Sequence, residues 1–431
     1  MAGRRDDGCR HLRRGPCPPP RRAGSRLSRA TAGGTAAAGA AGTAVAPLPR
    51  RHLSQRRSPI RAPRPCRAPP EGDPRAATPL PDSRFHLAVA GAARADSRRA
   101  VAVRVAIEEL RALMAAVCHA ARVPEQETAL VVEHYLVGEL RGKTSHGVAK
   151  FCFESRFFHE RQSPPEVVRE RGVFAVIDAH REIGPLSAAF AVRIALDRAA
   201  RYGAGFVGLI NTQRYGILAT WSEEIARHGL LGIAANTSRA EAAVAGGRTP
   251  VLGVNPLAFA LPTLDEPLSA DLSTTLAPMG VLWESRRAGQ PLPAGCFVDA
   301  DGRPTEDPDR AVSAVVFGEH RGFAISLLLQ ALTGSLFGFP MGSDVADTWT
   351  TGYTFIALDP AFANPDGLAA ANSRLVEQLH AARDADGGTL RVPGENGRAR
   401  AVDTLAAGTV EVPEQVLRRL RARADGDFTS D

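Results

Sequence analysis

The sequence has no C-x-x-C pair, no apolar run long enough to cross a bilayer, and no lysine in its first hundred residues. Its six cysteines (Cys9, Cys17, Cys66, Cys118, Cys152 and Cys296) are scattered. That spacing argues against thiolate metal ligation and for Cys118, Cys152 and Cys296, in the body, as reduced core residues of a cytoplasmic protein. No metal and no membrane partner is expected. The formal charge of +7 invites a nucleic-acid reading. Residues 1–100, however, hold 21 Arg and 6 acidic residues, a net of +15, so the remaining 331 residues hold 32 basic and 40 acidic groups, a net of −8. The part with the composition of a folded domain is acidic and offers no basic face for nucleic acid.

What the first hundred residues do contain is Arg, Pro, Ala and Gly, in runs such as CPPPRRAGSR and RAPRPCRAPP. Such a segment buries too little apolar surface to offset chain entropy, and disorder is expected. Arg21-Arg22 before a soft Ala/Gly run fits a twin-arginine export signal. An Arg-rich, acid-poor head also fits a transit peptide or a basic arm for nucleic acid. Ranked above these is translated upstream DNA, since GC-rich sequence gives this composition in any frame. On that reading the native body starts near Val101 or Val103, and intact mass of the protein from its source is the check.

The body alternates helix and strand patterns. Ile107, Leu110, Met114, Val117 and Ala121 recur at spacings of three and four, an amphipathic helix. Pro124 opens a second helix that runs to about Leu140, and a third starts in VAKFCFESRFF. From Val173 onward FAVID, FVGLIN, LLGIAANTS and PLAFALP read as strands. SAAFAVRIALDRAARYG and ILATWSEEIARHG read as helices stopped by Gly203 and Gly229. A long apolar helix follows GEHRGF, then a strand at TFIALD and helices at SRLVEQLHAARDA and PEQVLRRLRARA. The pattern predicts an α/β fold, a sheet covered by helices. Gly203, Gly205 and Gly208 match G-x-G-x-x-G. The dinucleotide role of that motif needs a strand, then the loop, then a helix N-terminus. Here the order is reversed, so Gly203 reads as a helix cap, the others as strand glycines, and no Rossmann domain is supported.

The most informative run is GELRGKTSHGVAKF (138–151), which places an arginine, a serine and a histidine on one turn after an apolar helix. A histidine in that setting suits proton transfer to a bound substrate. Further runs follow in order: NTQRYG (211–216), ANTS (235–238), GVNPLAFALP, LSADLSTT, GEHRGF (318–323) and VPGE (392–395). This ordered set resembles the type 2 malate/L-lactate dehydrogenase family, over essentially all of residues 103–420.

The resemblance implies a non-Rossmann NAD(P)-binding domain with a mostly antiparallel sheet (171–344), inserted into a helical substrate domain built from 101–170 and 345–431. It implies a homodimer, NAD or NADP as cofactor, and hydride transfer between nicotinamide and a small 2-oxo/2-hydroxy acid. In that frame His146 gives the proton, Asp271 orients its ring and raises its pKa, and Ser145, Lys150 and Arg214 contact substrate. Ser238, Leu272, Ser273, Thr274, Arg321, Gly394 and Glu395 contact the cofactor. Outside the ordered set each has a plainer reading: His146 as a capping residue, Asp271 as a partner of Ser273 and Thr274, and the glycines 246, 247 and 253 as a simple turn.

Three departures stand out. Arg214 occupies a position where the family usually has histidine, and an arginine clamps a carboxylate but does not titrate near neutrality. Lys150 replaces the family's substrate arginine, keeping the charge without the planar fork. Arg321 replaces a lysine. These changes leave two rivals beside the main reading, a reductase of a cyclic imino acid and a family-derived binding protein that has lost catalysis.

Overall fold

The computed structural model describes residues 102–429, apart from 245, 362, 365–366 and 384–386. The head, its three cysteines and the readings placed on them lie outside the described residues. The described residues fall within one compact unit.

The chain enters through β1 (Ala102–Ala106), which the helical periodicity concealed, and turns directly into α1 (Ile107–Ala120). Pro124 caps α2 (Glu125–Leu140), where its missing N–H costs nothing. A single 3-10 turn (Thr144–His146) leads to α3 (Val148–Glu154). A hairpin of β2 (Glu166–Arg171) and β3 (Phe174–Asp178) follows. Next come α4 (Gly184–Tyr202), β4 (Ala204–Ile210), α5 (Ala219–Arg227), β5 (Leu231–Asn236), β6 (Ala242–Ala243), β7 (Leu257–Leu261) and β8 (Leu268–Leu272). Beyond them lie α6 (Met279–Ala288), β9 (Phe297–Val298), β10 (Ser313–Val315) and α7 (His320–Gln330), whose last turn widens into a π-helix at Ala331–Ser335. The chain closes with β11 (Tyr353–Leu358), α8 (Leu368–Ala381), α9 (Glu395–Ala407), β12 (Thr409–Pro413) and α10 (Glu414–Ala424).

The main sheet has the order β2-β3-β4-β11-β5-β7-β8, antiparallel at every pairing except β3–β4. β11 sits at its centre, although it follows residue 344, the expected end of one domain. Gly203 is left-handed and ends α4, as its sequence setting predicts. Gly205 and Gly208 lie within β4, where side chains would run into the α4 backbone at Ala195 and the Phe337 ring. Their missing side chains allow this close packing.

Two large cores result. One packs α4 and α5 on the sheet through Ile177, Ala191, Leu209, Ile225 and Phe355. The other packs α1, α2, α3 and α10 with the antiparallel β1–β12 pair through Leu110, Met114, Leu136, Phe151, Val412 and Leu420. Cys118 and Cys152 are buried there as free thiols, while Cys296 is half-buried. A smaller cluster joins α6 to β9 and β10 around Leu282 and Phe297. Among the described residues no helix is long and apolar enough to cross a membrane.

Candidate functional site

The site forms where the α2–α3 turn meets the segment between β4 and α5. The turn is held by its own backbone: the Lys143 N–H donates to the Gly138 carbonyl at 2.9 Å, and the His146 N–H donates to the Lys143 carbonyl at 2.8 Å. Two glycines give it room. A Cβ built on either Gly138 or Gly216 would stand 2.7 Å from the His146 carbonyl oxygen, closer than side-chain carbons come. Glu139 fastens the far side by accepting the Val148 N–H at 3.0 Å.

On this turn Ser145 Oγ lies 3.0 Å from His146 Nδ1. Asp271, on β8, accepts the N–H groups of Leu218 and Ala219 at 3.2 Å each, the first turn of α5. Asp271 does not grip the imidazole directly; it acts on it through space. Burial pushes the His146 pKa down, Asp271 opposes this, and Lys150 and Lys143 push it down further; the net lies below the ordinary histidine value. The upward shift expected from Asp271 is thus present and outweighed by burial.

Lys150 Nζ pairs with Glu154 Oε1 at 2.7 Å inside the protein, one helical turn along α3. Burial pushes its pKa down, with Glu154 opposing and Arg214 adding to the fall. Arg214 therefore lies on the same side as Lys150. Its backbone carbonyl accepts the Tyr135 hydroxyl at 3.0 Å, and its guanidinium, half-buried, has no hydrogen-bond or ion-pair partner among the described residues. A half-buried cation so placed is set up for a carboxylate. Ser145, Lys150 and Asp271 thus surround His146, and Arg214 lies near Lys150.

The residues expected to meet a cofactor divide. Ser238 Oγ accepts the Val254 N–H at 2.9 Å, and Thr274 Oγ1 donates to the Val254 carbonyl at 3.0 Å. Both hydroxyls hold the 253–255 loop against the end of β8, beside exposed Leu272 and half-buried Ser273. The Phe317 N–H donates to the Thr274 carbonyl at 3.0 Å, which brings exposed Arg321 to the same edge. Gly394 packs on Ser269 of β8. The Glu395 carboxylate is committed elsewhere, to His380 Nε2 at 2.6 Å and the Val392 N–H at 3.0 Å, beside a cleft of about 330 Å³ lined by Thr263, Glu266, Val376 and Arg398.

Three supporting features escaped the sequence reading. Lys143 Nζ lies 3.9 Å from Asp271 Oδ2. Buried His134 accepts the Gly216 N–H on Nε2 at 2.9 Å and stacks on Trp221. Arg141 grips Glu223 with two hydrogen bonds of 2.8 and 2.7 Å, and Ser269 adds a third. A lone histidine on a helix and an arginine–glutamate pair 82 residues apart carry no local pattern; Lys143, two residues from Ser145, was within reach. Among the described residues no cluster of three His, Cys, Asp or Glu suits a metal ion.

The fold and the family it matches mark the chain as an oxidoreductase. A profile of malate/L-lactate dehydrogenases matches residues 105–421, and the chain belongs to that family of NAD(P)-dependent enzymes. It is 29% identical to the L-sulfolactate dehydrogenase of Methanothermobacter thermautotrophicus over 74% of this chain and 95% of that one. Identity is also 29% to the Δ1-pyrroline-2-carboxylate/Δ1-piperideine-2-carboxylate reductase of Pseudomonas putida, over 74% and 96%. Among solved structures, the sulfolactate dehydrogenase of Methanocaldococcus jannaschii superposes with a TM-score of 0.68 and 25% identity, covering 75% of this chain and 97% of that one.

Proposed function

We propose that the protein interconverts a small 2-oxo acid and its 2-hydroxy acid. The observation that carries this is the packing of Gly216, two residues past the unpaired, half-buried Arg214, against the His146 backbone, with the charge of Lys150 acting on His146 and that of Arg214 on Lys150. The substrate carboxylate lies against Arg214, with the buried Lys150–Glu154 pair behind it. That puts the C2 oxygen in reach of the His146 ring. Ser145 holds Nδ1, so the opposite nitrogen, Nε2, is the one that exchanges a proton with the C2 oxygen. Asp271 stabilises the imidazolium that forms when the ring takes that proton.

The edge formed by Ser238, Leu272, Ser273, Thr274 and Arg321 fits a dinucleotide: an exposed apolar side chain for a flat ring, a strand-end hydroxyl, and a guanidinium for phosphate. Gly394 braces β8 at Ser269, while Glu395 is held by His380 and the Val392 N–H. NAD or NADP bound there supplies or takes the hydride at C2. On this reading the mostly antiparallel sheet is a non-Rossmann cofactor-binding unit, flanked by a unit drawn from both ends of the described chain. The protein works as a cytoplasmic homodimer.

The test is NAD(P)H oxidation with a panel of 2-oxo acids, comparing wild type with His146→Ala. Turnover is expected to vanish in the variant while NAD(P)H fluorescence still reports binding. Unchanged turnover would remove the mechanism.

A further inference from the structure

The chain contains 51 arginines and two lysines, and those two, Lys143 and Lys150, flank Ser145 and His146. Everywhere else a basic side chain is needed, arginine serves. Lysine differs in offering a compact, flexible point charge where arginine presents a broad planar fork. Lys150 spends its charge on Glu154. Lys143 does not: at 3.9 Å its contact with Asp271 is at the outer limit of an ion pair, and its side chain remains 47% exposed. Asp271 is meanwhile satisfied by two backbone N–H groups, so it does not need the ammonium. The Lys143 backbone is tied down on both sides, through its N–H to Gly138 and its carbonyl to His146, so only the side chain is free to turn. Lys143 reaches the Asp271 side of the imidazole and Arg214 neighbours Lys150; all but Arg214 act on the His146 ring.

We propose that Lys143 is a substrate-contacting residue that takes the second anionic group of a dianionic 2-oxo acid, whose first carboxylate lies on Arg214. This rests on the reading of the site as a 2-oxo acid reductase and deepens it. A substrate of this kind lies across His146 with one charged end on each side. The Lys143 ammonium then exchanges its loose contact with Asp271 for a direct one with the ligand, and the dianion is preferred over a monoanion of the same backbone.

The experiment compares oxaloacetate with pyruvate, using NAD(P)H and the full-length protein. Lys143→Gln is expected to lower kcat/KM for oxaloacetate at least tenfold more than for pyruvate. An unchanged ratio overturns the role of Lys143 and leaves the reductase reading intact. A rise confined to the KM for NAD(P)H also overturns it, assigning the lysine to the cofactor. Absence of turnover with every 2-oxo acid in the wild type removes both.

A second measurement needs no variant. Reductive dimethylation of the wild type, read by peptide mass spectrometry with oxidised cofactor present, is expected to slow at Lys143 at least fivefold with malate and not with lactate. Equal labelling with the two acids overturns the proposal.

Discussion

Ser145 Oγ stands 3.0 Å from Nδ1 of the adjacent His146, so the residue that orients the ring comes from the same turn as the ring itself. Replacing Ser145 by Ala frees the imidazole to rotate and to change tautomer. A fall in kcat of about tenfold to a hundredfold is expected, the range typical of losing an orienting partner, with cofactor affinity retained. Steady-state kinetics with a fluorescence titration separates the two effects.

The position of Arg214 makes a different prediction. Arg214→Gln removes a charge-assisted contact worth about 1.5–3 kcal/mol. The KM for 2-oxo acids is expected to rise by roughly tenfold to a hundredfold, while that for NAD(P)H holds. Arg214→Lys restores the charge without the fork and recovers part of the loss. Equal effects on both KM values would remove Arg214 from the substrate side.

The depressed pKa of His146 sets the pH dependence. Reduction needs the imidazolium, so its rate is expected to fall as pH rises through the lowered value, below about 6.5. Oxidation needs the neutral ring and follows the opposite limb. Because Lys143 pushes this pKa down, Lys143→Gln is expected to move both limbs to higher pH. A pH–rate profile of kcat/KM in each direction is the check.

Much of the architecture was legible because long helices and buried strands carry strong periods. α2, α4, α5, β3, β4, β5 and β11 lie where the apolar pattern puts them, and Gly203 ends α4 for the reason its position suggests. β1 was hidden because five residues running straight into an amphipathic helix show no separate period. α9 was hidden because ENGRARAVDTLAA buries no residue and so has no apolar stripe. At the site, Ser145 and His146, on one turn, were visible as a cluster, with Lys150 close behind on α3. The links that bind distant segments were not. His134 to Gly216 and Arg141 to Glu223 depend on packing, which no local spacing encodes.

His134 gives a prediction on stability. Burial pushes its pKa down to about 3, while the same ring in the unfolded chain takes up a proton near pH ~6.5. Its contribution is fully present above that unfolded value and is lost as pH falls toward the folded one, by up to about 5 kcal/mol. His134→Gln, which keeps an acceptor for the Gly216 N–H, is expected to flatten the acid limb in urea unfolding measured from pH 7 to pH 4. An unaltered slope would locate the acid sensitivity elsewhere.

Arg141→Ala leaves the Glu223 carboxylate, only 2% exposed, without its main counter-charge. Breaking such a buried pair costs about 3–5 kcal/mol. Arg141→Ala combined with Glu223→Gln is expected to recover part of this. Denaturant unfolding of the single and double variants gives the coupling directly.

The pairing of β1 with β12 has a consequence for synthesis. Strand Ala102–Ala106 cannot find its partner Thr409–Pro413 until nearly all of the described chain has left the ribosome. α1 then waits with it, since α10, which covers α1, follows β12. The sheet around β4 is likewise incomplete until β11 emerges. Nascent chains stalled before residue 409 should therefore leave uncovered the part of α1 that packs on α10, so that this core closes only at the end of synthesis.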